Sequence, residues 1–151
     1  MLFISNSQDL REFVKEKQEA QCWTIFFATK LVEKFTYKGD NSGCILLIES
    51  PIWKSSSRKE TDPNTMIIKV LSGDRTAVVI ECKTCSYNFE EIEDDIKEYM
   101  KSLECRNGII MSVDKAVAFR VIDDDNVFPS EVMDLSERGN LYRLTNFVNE
   151  A

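Results

Sequence analysis

The stretch that decides the fold runs from Thr65 to Lys83 and reads TMIIKVLSGDRTAVVIECK. Two apolar runs rich in β-branched residues, 65–71 and 76–83, are separated by Ser72-Gly73-Asp74-Arg75, which is typical of a hairpin turn. Both runs are apolar on both faces of the strand, as expected for strands in the centre of a sheet. The stretch therefore predicts a central β-hairpin.

The second run of this hairpin ends with an acid and a base, Glu81 and Lys83. Because side chains alternate across a strand, these two residues are predicted to project from the same face. A carboxylate can hold a hard divalent cation, and a neighbouring lysine can orient or polarise a nucleophilic water. The pair thus indicates metal-assisted phosphodiester hydrolysis, and the alternative is an ion pair at the rim of the core.

The chain around the hairpin predicts further elements on both sides. Apolar residues at helical spacing indicate a helical N-terminal segment over residues 8–36, and Cys44 to Glu49 reads as a buried strand. After the hairpin, a capping box of Asn88 and Glu91 begins a helix that is predicted to end near Asn107-Gly108. The pattern therefore alternates helix, strand, hairpin and helix.

A second hairpin and a helical tail complete the pattern. Residues 109–113 and 116–122 are two apolar runs around Asp114-Lys115, and residues 130–149 look mostly helical, with an interruption at Gly139. Helices and strands in this order favour an α/β fold, in which a mixed central sheet of about five strands is flanked by helices. We expect one domain over residues 1–151, with the core motif region at 44–122.

Length and composition are those of one ordinary intracellular domain. At 151 residues and 43% hydrophobic, the chain can bury its own core. It has no apolar run long enough for a membrane span, and its polar start does not resemble a signal peptide. An odd count of five cysteines favours reduced thiols over a disulfide framework. We therefore expect a cytoplasmic protein without a membrane partner.

Several classes of function are disfavoured by what the sequence lacks. The chain contains no histidine, which excludes histidine-based catalytic triads and HxxxH zinc sites. No glycine-rich phosphate-binding loop occurs either. With 26 acidic and 19 basic residues, the net charge of −7 argues against a broad basic surface for nucleic acid. A clustered acidic metal site with a local basic rim stays compatible with this balance.

The hairpin, the helix after it and the next two strands resemble the PD-(D/E)XK nuclease superfamily. The resemblance covers roughly residues 64–122 and is carried by Glu81-x-Lys83 and by the order of elements. This part of the chain is similar to the N-terminal nuclease domain of type I restriction enzyme R subunits. It implies a restriction-endonuclease-like sheet and a nuclease that depends on Mg²⁺ (or Mn²⁺). Nucleic acid, with DNA as the expected form, is then the partner, and a homodimer is one expected assembly.

The resemblance also implies a second acidic residue, for which hairpin geometry offers a choice. Asp74 lies seven residues before Glu81, which places it roughly 20 Å away along one strand and makes it a turn residue. If the turn centres on residues 73 and 74, Met66 opposes Glu81 and Asp62 continues the same face at the start of the first strand. Asp62 is therefore the predicted second carboxylate, with Asp74 as the less favoured choice.

The resemblance implies a role for each of these residues. Asp62 and Glu81, with the backbone carbonyl of Cys82, would ligate the metal, and Lys83 would orient the attacking water or neutralise charge in the transition state. Two more acids are candidates for further ligands: Glu49 and Glu19.

The acidic motif departs from the family pattern in one respect. The family places proline before the aspartate, whereas here Asp62 precedes Pro63. The first alternative is therefore a catalytically degenerate, restriction-endonuclease-like interaction module. Its acidic surface would include the run Asp123-Asp124-Asp125 and the acids of the helix after the hairpin.

A second alternative uses the thiols of Cys82-Lys83-Thr84-Cys85, a CxxC sequence that follows an apolar strand. Thiol oxidoreductases place such a motif at a helix N-terminus, which lowers the thiol pKa. Here residues 86–88 separate the motif from the predicted helix. Alternation also predicts that Cys82 lies on the face opposite Glu81, as a small core residue.

Overall fold

The computed structural model describes residues 2–4, 8–9, 12, 44–49, 65–83, 89–112, 114–123 and 126–151. Within these ranges eight strands form one sheet, in the order β1-β2-β3-β4-β5-β6-β7, with β8 paired to β6. The strands are β1 (Leu2–Ile4), β2 (Cys44–Glu49), β3 (Thr65–Ser72), β4 (Arg75–Lys83), β5 (Asn107–Met111), β6 (Lys115–Asp123), β7 (Asn126–Pro129) and β8 (Met133–Asp134). The helices are α1 (Phe89–Ser102) and α2 (Arg138–Glu150).

The predicted α/β fold with a mixed central sheet is confirmed. Strands β4 and β5 are parallel and α1 connects them, whereas the other neighbouring pairs are antiparallel. The five predicted strands correspond to β2 through β6. Strands β1, β7 and β8 were not predicted, since at three, four and two residues they are too short to show an alternating pattern.

Each face of the sheet carries its own buried cluster. The α1 face is the side with the cluster Ile67, Val79, Ile96, Met100, Cys105, Ile110, Val117 and Phe119. The α2 face is the side with Ile68, Val70, Ala77, Val78, Ile80, Cys82, Ile109, Met111, Ala116, Ala118, Met133, Leu135, Leu144 and Val148. The central strands are apolar on both faces because each face is covered by a helix.

The β3–β4 hairpin contains a β-bulge that changes its register. Near the turn, Leu71 pairs with Thr76, but Val70 pairs with Val78, so Ala77 is the extra residue of β4. The carbonyl of Ala77 accepts a hydrogen bond of 3.2 Å from the Asn107 side-chain amide. Beyond the bulge every pairing is therefore displaced by one residue from the register set by the turn.

The predicted register is consequently wrong for the part of the hairpin that carries the site. Ile67, not Met66, opposes Glu81, and Thr65 opposes Lys83. The turn itself is as predicted: Gly73 has a φ of 61°, and Asp74 is exposed beside it. Odd-numbered residues of β3 thus share the face of Glu81.

Helix α1 ends earlier than predicted, at Ser102. Glu104 adopts a left-handed φ of 52°, and the Cys105 N–H donates to the Met100 carbonyl at 2.8 Å. The Glu104 N–H donates to the Lys101 carbonyl at 3.2 Å, which completes a Schellman cap. The prediction placed the end at Gly108 because glycine usually takes this position, whereas here a glutamate does.

Gly108 instead lies inside β5, where α1 approaches the sheet closely. A Cβ atom added at Gly108 would lie 2.7 Å from Met100 Sδ and 3.2 Å from Ile96 Cγ1. Cβ atoms essentially never approach another atom to 2.7 Å, so a side chain at this position would require Met100 to move. The absence of a side chain at Gly108 therefore allows α1 to pack closely on β5, the strand next to the one that carries Glu81.

The predicted helical tail over residues 130–149 is wrong in its first part, because Met133–Asp134 form β8 and helix α2 begins only at Arg138. Gly139 lies in the first turn of α2 instead of interrupting it. Of the predicted N-terminal helix, Gln8, Asp9 and Glu12 are helical, and the rest of 8–36 lies outside the described residues. In that described part, no helix is long and apolar enough to cross a membrane.

Candidate active site

Glu81 is a buried carboxylate in the middle of the sheet. Its register partners are Ile67 on β3 and Ile110 on β5, which places it on the α1 face. Glu81 is 2% exposed, and both isoleucines are fully buried. A carboxylate among such neighbours costs several kcal/mol unless a cation or hydrogen bonds compensate for the lost water.

Glu49 lies in the same row of the sheet as Glu81. It pairs with Ile67, which in turn pairs with Glu81. Two strand spacings separate the backbones of the two glutamates by roughly 10 Å. Among the predicted additional ligands, Glu49 is thus brought to the row of Glu81, while Glu19 lies outside the described residues.

On the face of Glu81, the next row toward the C-terminal end of β4 lies two residues further on, because the row of Cys82 faces the other side. We call it the end row, and its members are Thr65, Lys83, Ser112 and Lys115. Thr65 pairs with Lys83. The parallel β4–β5 ladder ends at Cys82 and Met111, so Lys83 and Ser112 are the residues that directly follow its last pair. The Ser112 N–H donates to the Lys115 carbonyl at 2.9 Å, which extends the β5–β6 ladder by one pair. The end row therefore places Lys83 and Lys115 on either side of Ser112.

Ser112 is a structural anchor that the sequence prediction missed. Its side chain is fully buried, and its hydroxyl donates to Asp114 Oδ1 at 2.9 Å. The Lys115 N–H donates to Ser112 Oγ at 3.2 Å. The Ser-x-Asp sequence was the available signal, since serine and aspartate side chains commonly close turns in this way.

The described residues supply only part of the donor set that a metal would need. They contain no group of three or more potential ligand side chains. Glu81 Oε2 accepts no hydrogen bond within this part of the chain, although Glu81 takes part in other interactions. Cys82 is paired on both sides, with Met66 and Met111, so its carbonyl would offer a metal its second lone pair. These oxygen donors suit Mg²⁺, and a complete site needs further acids.

The observed register removes the geometric reason for choosing Asp62. That choice assumed that even-numbered residues of β3 share the face of Glu81, whereas Ile67 occupies that face. Asp62 itself lies outside the described residues, so its selection stays a prediction that depends on the resemblance alone. Asp74 is a turn residue, as predicted, at the opposite end of the hairpin from Lys83.

Cys82 lies on the α2 face, opposite Glu81, as the alternation predicted. It is fully buried. Desolvation raises the pKa of its thiol strongly, and the negative charge of Glu81 raises it further. A thiol in this setting stays protonated, which is the opposite of what a redox-active cysteine needs. The other cysteine of the CxxC sequence, Cys85, lies outside the described residues.

The raised thiol pKa predicts a pH dependence of stability. Because the folded pKa of Cys82 lies above the usual unfolded value, the stabilising contribution is complete below about pH 8.5 and is lost as the pH rises further. Between pH 9 and 11, wild type should lose up to about 1.4 kcal/mol per pH unit more than Cys82→Ala. Urea unfolding at several pH values measures both slopes. Equal slopes in the two proteins would show that the Cys82 thiol is not protected.

Comparison of the chain with protein-family models, with curated proteins and with solved structures finds no match in any of the three. The function is therefore inferred from the residues of the site.

Proposed function

We propose that the chain is a metal-dependent nuclease that hydrolyses phosphodiester bonds of nucleic acid, with DNA as the expected substrate. The observation that carries the proposal is the position of Glu81. It is a buried carboxylate at the C-terminal end of a central strand, and Lys83 follows two residues later on the same strand. This is the arrangement on which the nuclease resemblance depends.

The burial of Glu81 supports a functional role, because a glutamate that only kept the protein soluble would lie on the surface. A surface glutamate keeps its water, whereas Glu81 lies between Ile67 and Ile110 and has lost nearly all of it. Such a carboxylate is maintained by opposite charge, which either a lysine or a divalent cation supplies. A cation coordinated by carboxylate and carbonyl oxygens would offset the burial and also serve the chemistry.

The residues of the site then have distinct roles. A bound Mg²⁺ or Mn²⁺ would lower the pKa of a water molecule and stabilise charge on the phosphate. Glu81 and the Cys82 carbonyl would hold the ion, and Lys83 would orient the attacking water or stabilise the negative charge of the transition state. Asp62, Glu49 and Glu19 are the candidates for the remaining ligands.

A second candidate function is a catalytically inactive interaction module on the same sheet. It is favoured by the acidic outer side of α1, where Asp94 and Glu98 are exposed and Lys97 forms an ion pair with Glu93 at 2.8 Å. Such a surface suits a basic partner better than DNA. This candidate predicts binding without cleavage.

Cleavage and thermal stability of the wild-type chain together test the proposal. Single-stranded DNA, double-stranded DNA and RNA are each incubated with Mg²⁺, with Mn²⁺ or with a chelator, and products are separated on gels. We expect cleavage of at least the DNA with metal and none with chelator. Metal at 100 times its dissociation constant should also stabilise the fold by about 2.7 kcal/mol. No cleavage of any substrate, with no metal-induced rise in Tm, would overturn the proposal.

A further inference from the structure

Lys115 is an exposed lysine that shares the end row with Lys83. It begins β6, and its carbonyl accepts the hydrogen bond from Ser112 that closes the β5–β6 hairpin. Strand β5 alone separates its backbone from that of Lys83, which corresponds to roughly 10 Å. The alternation of β6, with Val117 and Phe119 in the α1 cluster, places Lys115 on the same face as Glu81.

The acids beside Lys115 are bound to serine side chains. Asp114 Oδ1 accepts the Ser112 hydroxyl at 2.9 Å. Asp134, the register partner of Lys115 on β8, accepts the Ser136 N–H at 2.9 Å and the Ser136 hydroxyl at 2.7 Å. These two hydrogen bonds also hold the pKa of Asp134 below its usual range. In the described part of the chain, no ion pair joins the Lys115 ammonium to either carboxylate.

The end row thus contains an exposed lysine, Lys115, at the border of the proposed active site. Its backbone is fixed, because the hairpin is closed by the buried Ser112 and β8 pairs with the first residues of β6. Lysine is a flexible point charge that suits phosphate oxygens well. A nucleic acid strand that crossed the sheet from Glu81 and Lys83 toward β6 would bring a flanking phosphate near Lys115, because only β5 lies between β4 and β6.

We propose that Lys115 binds a backbone phosphate that flanks the scissile phosphodiester, so that the nucleic acid crosses the sheet from β4 toward β6 along the end row. The inference rests on the proposed nuclease function and adds to it a direction for the substrate. Asp114 and Asp134 limit the local positive potential. The contribution of Lys115 is therefore that of one phosphate contact and not of a broad basic surface.

Binding of fluorescein-labelled single- and double-stranded DNA, followed by anisotropy in chelator so that no metal-dependent cleavage occurs, tests the inference. Wild type, Lys115→Ala, Lys115→Arg and Lys101→Ala are compared at several salt concentrations. Lys101 is the matched control, since it is exposed in the last turn of α1 and carries the same charge. Thermal unfolding of each variant shows that the fold is retained.

We expect Lys115→Ala to raise the Kd several-fold at low salt and to reduce the salt slope of log Kd by about 0.9 for double-stranded or 0.7 for single-stranded DNA. Lys115→Arg should bind like wild type, and Lys101→Ala should not change the slope. If wild type binds and cuts DNA but Lys115→Ala has an unchanged Kd and slope, this inference is overturned and the nuclease proposal stands. If wild type neither binds nor cuts, both are overturned.

Discussion

Glu81→Gln should lower the rate of metal-dependent DNA cleavage by roughly 100- to 1,000-fold, since an electrostatic group aimed at the reacting centre is typically worth that much. Glutamine has nearly the same shape as glutamate, but it carries no charge and is a poor ligand for Mg²⁺. Its amide can still occupy the space between Ile67 and Ile110. Initial cleavage rates at saturating Mg²⁺ or Mn²⁺, measured for wild type and variant, give the ratio directly.

The control for this substitution is Glu98→Gln, which removes one negative charge from an exposed position of α1. It should cleave DNA at the wild-type rate. Metal-dependent stabilisation separates a metal ligand from a purely structural acid, because the rise in Tm on adding Mg²⁺ should vanish in Glu81→Gln and persist in Glu98→Gln. If Glu81 only forms an ion pair, Glu81→Gln will instead lose stability by about 3–5 kcal/mol and keep its cleavage rate.

Phe119→Ala should lower the free energy of unfolding by about 3–5 kcal/mol. Phe119 is 1% exposed and is among the largest fully buried side chains of the described residues. It pairs with Gly108, which has no side chain, so its ring lies on the α1 face beside the place where Met100 and Ile96 approach β5. Alanine would leave a cavity under α1 that the rigid sheet cannot close.

Phe128→Ala provides the matched control for this effect. Phe128 is an aromatic residue of the neighbouring strand β7, but it is 50% exposed and pairs with the exposed Arg120. Its replacement should change the free energy of unfolding by no more than about 1 kcal/mol. Urea unfolding curves of the two variants, analysed with the same m value, give the two changes in the free energy of unfolding. Equal losses of unfolding free energy in the two variants would mean that the α1 cluster is not the main source of stability on the α1 face of the sheet.

The parts of the fold that could be predicted from sequence are those with long, regular patterns. Strands β2 to β6 are runs of β-branched and aliphatic residues, and the period of α1 placed Ile96 and Met100 on its buried side. Burial on both faces could also be predicted for β3 and β4, because apolar and polar residues do not alternate along either strand. Short edge strands carry too few residues for such a pattern, so β1, β7 and β8 were missed.

Two local features could not be read because their residue types are unremarkable. The bulge uses Ala77, which fits a regular strand equally well, so the register beyond it was displaced by one. The end of α1 uses Glu104 in a left-handed conformation where glycine is the usual signal. In both places tertiary packing overrode the local preference.

The candidate site was only partly readable for the same reason. Glu81 was identified because an acid at the end of an apolar run is unusual, and Cys82 was correctly assigned to the other face. Ser112 and Lys115 were missed because hairpin closure by a buried serine depends on contacts between strands. Asp62 as the second carboxylate stays a prediction, now without support from the register.

The bulge at Ala77 has a consequence for how this hairpin can change by insertion and deletion. Removing this one residue would leave Val70 opposite Val78 and Ile67 opposite Glu81, because Val78 would then follow Thr76 directly in the register that the turn sets. Lys69 would stay opposite Val79, so β3 would keep the same residues on each face. A related chain without the extra residue would therefore need a single-residue gap between the turn and the acid in an alignment, while the strand pairs on both sides of that gap would still superimpose.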